Sequence, residues 1–162
     1  MRNITSYTRN RRNKKNWQDS YQRIWFYYHR LFFGRLISSG NKIKAFNKFL
    51  TLKAILKKQE SLDPYLIFLA SMIKITPSVY IKPLKRKGSD QGIPMPITEK
   101  KRATLALNWV MRFAKQKNQN VRPADLANLI ILSLYDKGPV IAQKKKSYFV
   151  GRANRHLLRF YK

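Results

Sequence analysis

Apolar positions recur with a helical period along most of the chain, and one stretch near the middle breaks that rhythm. From 21 to 39, Tyr21, Trp25, Phe26, Tyr27, Tyr28, Phe32 and Phe33 lie among Arg23, Arg30 and Arg35, which predicts an aromatic-rich helix ended by Gly40. Aromatics at this spacing face a core more often than they stack on bases. From Asn41 to Lys58 a second helix is expected to turn Ile43, Phe46, Leu50, Ala54 and Ile55 inward, with Lys42, Lys44, Lys48, Lys53, Lys57 and Lys58 around them. Asp63 followed by Pro64 has the chemistry of a helix cap and first turn. Leu66, Phe68, Leu69, Met72 and Ile73 then make the third helix the most apolar, and so a central one.

The break comes at Val79-Tyr80-Ile81, which reads as a strand. A second extended piece runs from Ile93 to Ile97, where Pro94 and Pro96 exclude helix and permit only an edge or irregular strand. Between them lies Gly88-Ser89-Asp90-Gln91-Gly92, so a β-hairpin is predicted at about 78–97. Its tip is cationic and nearly free of apolar residues: it is either a solvated loop or a finger reaching into a charged partner. Thr98 offers an N-cap for a helix through about Lys117. There Ala103, Ala106, Leu107, Val110, Phe113 and Ala114 share one side, Lys101, Asn108, Arg112 and Lys115 the other, with Leu105 and Trp109 at the margin.

Arg122-Pro123-Ala124-Asp125 opens a fifth helix carrying Leu126, Leu129, Ile130, Leu132 and Leu134, which Gly138-Pro139 ends. In a last helix from about Ala142, Phe149, Ala153, Leu157 and Phe160 are expected on one side. Lys144, Lys145, Tyr148, Arg152, Arg155 and Arg159 are expected on the other, with His156 at the border. The expected architecture is mainly α: about six helices in a compact bundle with a protruding hairpin. Residues 1–20 form a basic arm ahead of a helical domain over 21–162.

Charge narrows the function. Thirty-five Lys and Arg against seven Asp and Glu leave a formal charge of +28, which a compact particle tolerates best beside a polyanion. Nucleic acid is the first candidate and an acidic membrane surface the second. A hydrophobic fraction of 44% is too high for a wholly disordered basic tail. The absence of cysteine removes disulfide frameworks, thiolate metal sites and thiol nucleophiles together. The longest nearly uncharged run, Pro64 to Ile73, is too short to span a bilayer. The acids are scattered, with no pair suited to acid–base work, no nucleophile elbow and no phosphate loop, so an enzyme is not expected. His29 reads as a partly exposed side chain with no second ligand at metal spacing, and neither metal nor cofactor is implied. In the arm, Arg2, Arg9, Arg11, Arg12, Lys14 and Lys15 are set among polar residues. Such a segment either threads along phosphates or acts as a mitochondrial import signal. With Met1 at its start, a cleaved presequence is the weaker reading, and an organelle-encoded protein needs none.

The order of elements resembles the small-subunit ribosomal protein seven family. The resemblance is carried by Pro77-Ser78-Val79-Tyr80-Ile81-Lys82, Gly88, Ile93-Pro94, Arg102, Leu105-Ala106-Leu107 with Trp109, Leu126-Ala127-Asn128, Lys137-Gly138 and Ala153-Asn154-Arg155. Earlier, Leu36-Ile37 and Gly40-Asn41-Lys42 look like the family's first helix and its basic glycine turn. The likeness covers roughly Tyr28 onward. It implies a structural constituent of the small ribosomal subunit that binds the 3′ major domain of its rRNA, nucleates assembly of the head and holds a hairpin near the exit-site tRNA and mRNA path. Implied partners are small-subunit rRNA, neighbouring head proteins, mRNA and exit-site tRNA.

Carried over by position, rRNA contacts are expected from Arg9, Arg11, Arg12, Lys14, Lys15, Arg35, Asn41, Lys42, Lys44, Lys101, Arg102, Asn108, Arg112, Lys115, Lys144 and Lys145. Lys82, Lys85, Arg86, Lys87, Gly88, Gln91, Arg152 and Arg155 are expected to face mRNA and tRNA. The chain departs from the family in carrying Gln91 where an aromatic is usual, in a second tip glycine that is either Gly92 or missing, and in a C-terminal extension that stops at Lys162. Abundant Asn, Lys, Ile, Phe and Tyr point to an organellar version, mitochondrial in preference to plastid or bacterial. The alternatives are an organellar DNA-coating or general RNA-binding protein outside the ribosome, and a peripheral membrane binder using Trp25 to Phe33.

Overall fold

The computed structural model describes residues 26–83, 92–117 and 120–160. Residues 26–36 are helical (α1) and bury Tyr28, Phe32 and Leu36, spaced by one turn each, so a single stripe meets the core. Phe32 packs on Phe68 with ring centroids 5.1 Å apart and on Phe49 at 6.5 Å. Ser39 and Gly40 both take positive φ in the turn that follows, and Asn41 then caps the next helix by accepting a hydrogen bond from the Lys44 amide at 2.9 Å.

That helix, α2 (Lys42–Gln59), corrects an expectation. Its buried residues are Ala45, Leu52 and Leu56, with Phe49 half-buried, whereas Ile43, Phe46, Leu50 and Ala54 lie exposed and Ile55 is half-buried. The helix carries two apolar stripes, and periodicity fixes the angle between them but not which one meets the core. Phe49 enters because α1 offers it an aromatic seat: its ring lies 4.8 Å from that of His29. Small Ala45 permits close approach on the same side.

In α3 (Pro64–Ile75) Asp63 accepts from the Tyr65 amide at 3.1 Å and Pro64 occupies the first turn, as its sequence predicts. Phe68, Leu69 and Met72 are buried, but Leu66 and Ile73, also expected inside, are 59% and 56% exposed. A helix apolar all round offers no contrast from which to choose a buried side. The Ser71 hydroxyl, fully buried, sits 2.8 Å from the Ile67 carbonyl and 2.9 Å from that of Ile130, tying α3 to α5 (Pro123–Leu134).

The hairpin forms where expected, with β1 (Val79–Pro83) antiparallel to β2 (Gly92–Pro96) in the register Val79 opposite Pro96 and Ile81 opposite Pro94. No third strand joins it among the described residues, so both strands are edges and tolerate the prolines. A Cβ on Gly92 would lie 2.2 Å from Ile81 Cγ2, so only glycine lets the strands close at that point.

Helix α4 (Glu99–Lys117) starts directly after Thr98, whose carbonyl accepts from the Arg102 amide at 3.0 Å. It buries Ala103, Ala106, Leu107, Val110 and Ala114. Trp109, expected at the margin, is buried as well.

The last helix is the second correction. α6 (Pro139–Ala153) begins three residues before the expected Ala142, because Gly138 at φ 91° makes the junction and Pro139 opens the first turn. Val140 and Ile141 are buried, and Lys144 and Tyr148 face partly inward, whereas Phe149 and Ala153 are exposed. Leu157 is buried as expected, but through a 3-10 turn over Arg155–Phe160 that follows the end of α6. An expectation that starts at Ala142 omits Val140 and Ile141, and at about 100° per residue their burial turns Phe149 and Ala153 away from the core.

Candidate nucleic-acid interface

Helix α4 sets Lys101, Asn108, Arg112 and Lys115 at intervals of seven, four and three residues, all exposed and opposite the buried alanines. Arg35, half-buried on α1, reaches across to this row. Its Nε donates to Asn108 Oδ1 at 2.9 Å, while the other guanidinium nitrogens donate to the carbonyls of Leu31 at 3.2 Å and Thr104 at 3.4 Å. The result is an open groove of about 580 Å³ lined by Arg35, Asn108, Met111, Arg112, Lys115 and Gln116. The expected residues Arg35, Asn108, Arg112 and Lys115 thus come together although α1 and α4 are far apart in sequence. Among the described residues the ion pairs are Lys74–Asp136 and Arg122–Asp125, neither of them in this groove. Unneutralised cations over an apolar floor formed by Met111 suit a ligand that brings its own negative charges.

Arg102 plays a different part. Half-buried, its Nε donates to the Pro77 carbonyl at 3.0 Å, pinning the entrance of the hairpin to α4. Asn41 is likewise engaged as the α2 cap, with Lys42 and Lys44 exposed beside it. A shallow recess of about 450 Å³ next to them is lined by Asn41, Ile43, Lys44, Asn47, Lys48, Thr51 and Pro123.

A second basic hollow, about 560 Å³, lies between the hairpin and α6. Val79 and Pro94 line one side; Lys145, Tyr148, Phe149, Gly151, Arg152, Arg155 and Leu158 line the other. Lys145, Arg152 and Arg155 are exposed, as is Lys82 on β1. Lys144 is not on this surface: its Nζ donates to the Lys74 carbonyl, inside the junction of α3 with α6. Tyr148, placed by sequence on the cationic side, serves the hairpin instead. Its hydroxyl lies 2.9 Å from the Ser78 amide and 2.8 Å from Ser78 Oγ. Burial alone would raise its pKa, but the Ser78 hydrogen bonds and the charges of Lys144 and Arg102 outweigh that and lower it. Asn154, the C-cap of α6, donates from Nδ2 to the Gly92 carbonyl at 3.0 Å, so this helix and its cap hold the hairpin at its base through Ser78 and near its tip through Gly92. Periodicity gave no sign of these two roles, since Tyr148 and Asn154 act through single polar atoms.

Arg9, Arg11, Arg12, Lys14 and Lys15 in the arm, and Lys85, Arg86, Lys87, Gly88 and Gln91 at the hairpin tip, lie outside the described residues. Among those described, no group of His, Asp and Glu side chains is arranged to hold a metal ion, and no helix is long and apolar enough to cross a membrane.

Comparison with known proteins accords with this basic, helical surface. Residues 3–155 match the family model described as ribosomal protein S7p/S5e. The chain is similar to the small ribosomal subunit protein uS7 of Acaryochloris marina, 26% identical over 121 residues covering 75% of this chain and 78% of that one. It is equally similar to uS7 of Mycoplasmopsis pulmonis, 26% identical over 125 residues covering 77% and 80%. With uS7 of Mycoplasmopsis agalactiae it shares 26% over 106 residues, 65% and 68% of the two chains.

Proposed function

Because the chain belongs to the ribosomal protein S7p/S5e family, we propose that it is a structural constituent of the small ribosomal subunit whose α1–α4 groove grips folded rRNA of the head. The observation that carries this is the meeting of Arg35, Asn108, Arg112 and Lys115 in one groove with no carboxylate paired to any of them among the described residues. Cations there displace condensed counterions from closely packed phosphates, and the shape of the groove selects a folded site. Residues 1–20 add a basic arm to the domain formed by 21–162, with Arg9, Arg11, Arg12, Lys14 and Lys15 on phosphates. The hollow lined by Lys145, Arg152 and Arg155 beside the hairpin meets mRNA and exit-site tRNA, which Lys82 and the tip cations also face. The mitochondrial ribosome is the proposed location. Supporting it are a composition rich in Asn, Lys, Ile, Phe and Tyr and an identity of only 26% to the bacterial relatives.

The test is binding to a head-domain rRNA fragment across a salt series. Replacing both Arg112 and Lys115 by Ala is expected to weaken binding and to flatten the salt slope by somewhat less than one unit for each phosphate that is no longer neutralised. Both side chains are exposed, so circular dichroism should be unchanged and the melting temperature should not fall. An unaltered slope removes this groove from the interface. Equal competition by duplex DNA at moderate salt favours a general nucleic-acid binder. Co-sedimentation with mitochondrial small subunits through high salt tests the location.

A further inference from the structure

Ile43, Phe46 and Leu50 on α2 are 76%, 51% and 46% exposed, and Ala54 is exposed one turn further on. At about 100° per residue these four fall within about 80° of one another, opposite the buried Ala45, Leu52 and Leu56. They extend along about 16 Å of helix, roughly three turns. An apolar row of this length, left outward on so strongly charged a protein, marks a contact surface. The row differs in kind from the outward side of α4, where Lys101, Asn108, Arg112 and Lys115 occupy the corresponding central positions. Ribose hydroxyls and phosphates would be desolvated without compensation against Ile, Phe and Leu, so α2 is matched to protein.

The edges of the row define the partner further. Exposed Lys57 and Lys58 straddle its C-terminal end, exposed Lys42 and Lys44 lie at the other, and no Asp or Glu occurs anywhere on α2. Glu60, just beyond, is engaged by the Tyr135 hydroxyl at 2.9 Å. A partner with basic flanks would be repelled, whereas one with acidic flanks is matched in charge as well as in shape.

We propose that this stripe of α2 is the docking surface for an amphipathic helix with acidic flanks, supplied by a neighbouring protein of the ribosomal head. The inference rests on the ribosomal reading above, and two experiments separate them. In the first, the free full-length chain meets a synthetic Leu/Glu amphipathic helical peptide and its Leu/Lys counterpart. The acidic peptide is expected to bind at least about tenfold tighter, an advantage that raised salt reduces. That preference should vanish in Phe46→Glu/Leu50→Glu, whose melting should be unchanged because both side chains are exposed. Equal binding of the two peptides, or binding that survives the double substitution, overturns the proposal.

In the second, Asn47→Cys gives the chain its only thiol, since the sequence contains no cysteine, beside the exposed stripe. A benzophenone attached there is photolysed in reconstituted small subunits. Failure of the labelled chain to enter the subunit counts against the ribosomal reading itself. Where it enters, an adduct to another protein's segment bearing helically spaced apolar residues flanked by Asp and Glu supports the proposal. An adduct to rRNA, to residues 1–25, to a second copy or to nothing overturns it.

Discussion

His29 lies between Phe33, with ring centroids 6.4 Å apart and nearly parallel planes, and Phe49, 4.8 Å away edge-on. Burial there lowers its pKa below the ordinary 6.5. The unfolded chain therefore takes up a proton on this residue at a higher pH than the folded one does. Stability contributed by the neutral ring is complete above about pH 6.5 and falls on acidification until the lower folded pKa is passed. The melting temperature should drop as the pH is lowered through and below about 6.5, and His29→Phe should flatten that decline; an unchanged decline would show that other groups set it. At the same scale, Lys144 and Arg102 show why a cation in the sequence is not yet a cation at an interface. One donates to the Lys74 carbonyl and the other to that of Pro77, which makes them fasteners of the fold.

Among the elements, the hairpin depends on α6 for its direction, because Tyr148 and Asn154 hold the start of each strand from one helix. Tyr148→Phe removes the hydroxyl that Ser78 meets, and hydrogen exchange at Val79 to Ile81 is expected to quicken while α3 and α5 keep their protection. Equal exchange in both proteins would mean that the Asn154 contact and the Arg102 contact with Pro77 suffice. The elements themselves were largely legible in the sequence: Asp63-Pro64, Thr98 and the proline-bearing arms of the hairpin each carry a local stereochemical cause. So was the α1–α4 groove, in part, because Lys101, Asn108, Arg112 and Lys115 oppose the buried alanines on one helix. Orientation was less legible. In α2, with two apolar stripes, and α3, apolar all round, burial is decided by neighbours such as Phe32 and His29 that no local pattern reveals. In α6 the buried Val140 and Ile141, which precede the expected start at Ala142, set the inward side, and this leaves Phe149 outside and Tyr148 half-buried.

For the whole molecule, a formal +28 on 162 residues means that the free chain folds against its own repulsion. Raising salt from about 0.05 M to about 0.5 M shortens the screening length severalfold, so the melting temperature of the RNA-free protein should rise. The same change should weaken its complex with rRNA. A melting temperature that falls with salt would show that local ion pairs outweigh the net charge. A different hazard for a protein awaiting its RNA is self-association, and here the prolines of the hairpin have an effect beyond shape. Pro94 and Pro96 lie two residues apart, and Pro83 stands opposite Gly92 in line with them. Residues that cannot donate to the opposing strand must be those whose amides would point away from it. The outward rim of β2 therefore lacks the donors of Pro94 and Pro96, and that of β1 lacks the donor of Pro83, which disfavours addition of a foreign strand edge to edge. Restoring those donors with Pro94→Val and Pro96→Val should increase concentration-dependent light scattering relative to the unsubstituted protein, and equal scattering by the two would show that the prolines do not guard this edge.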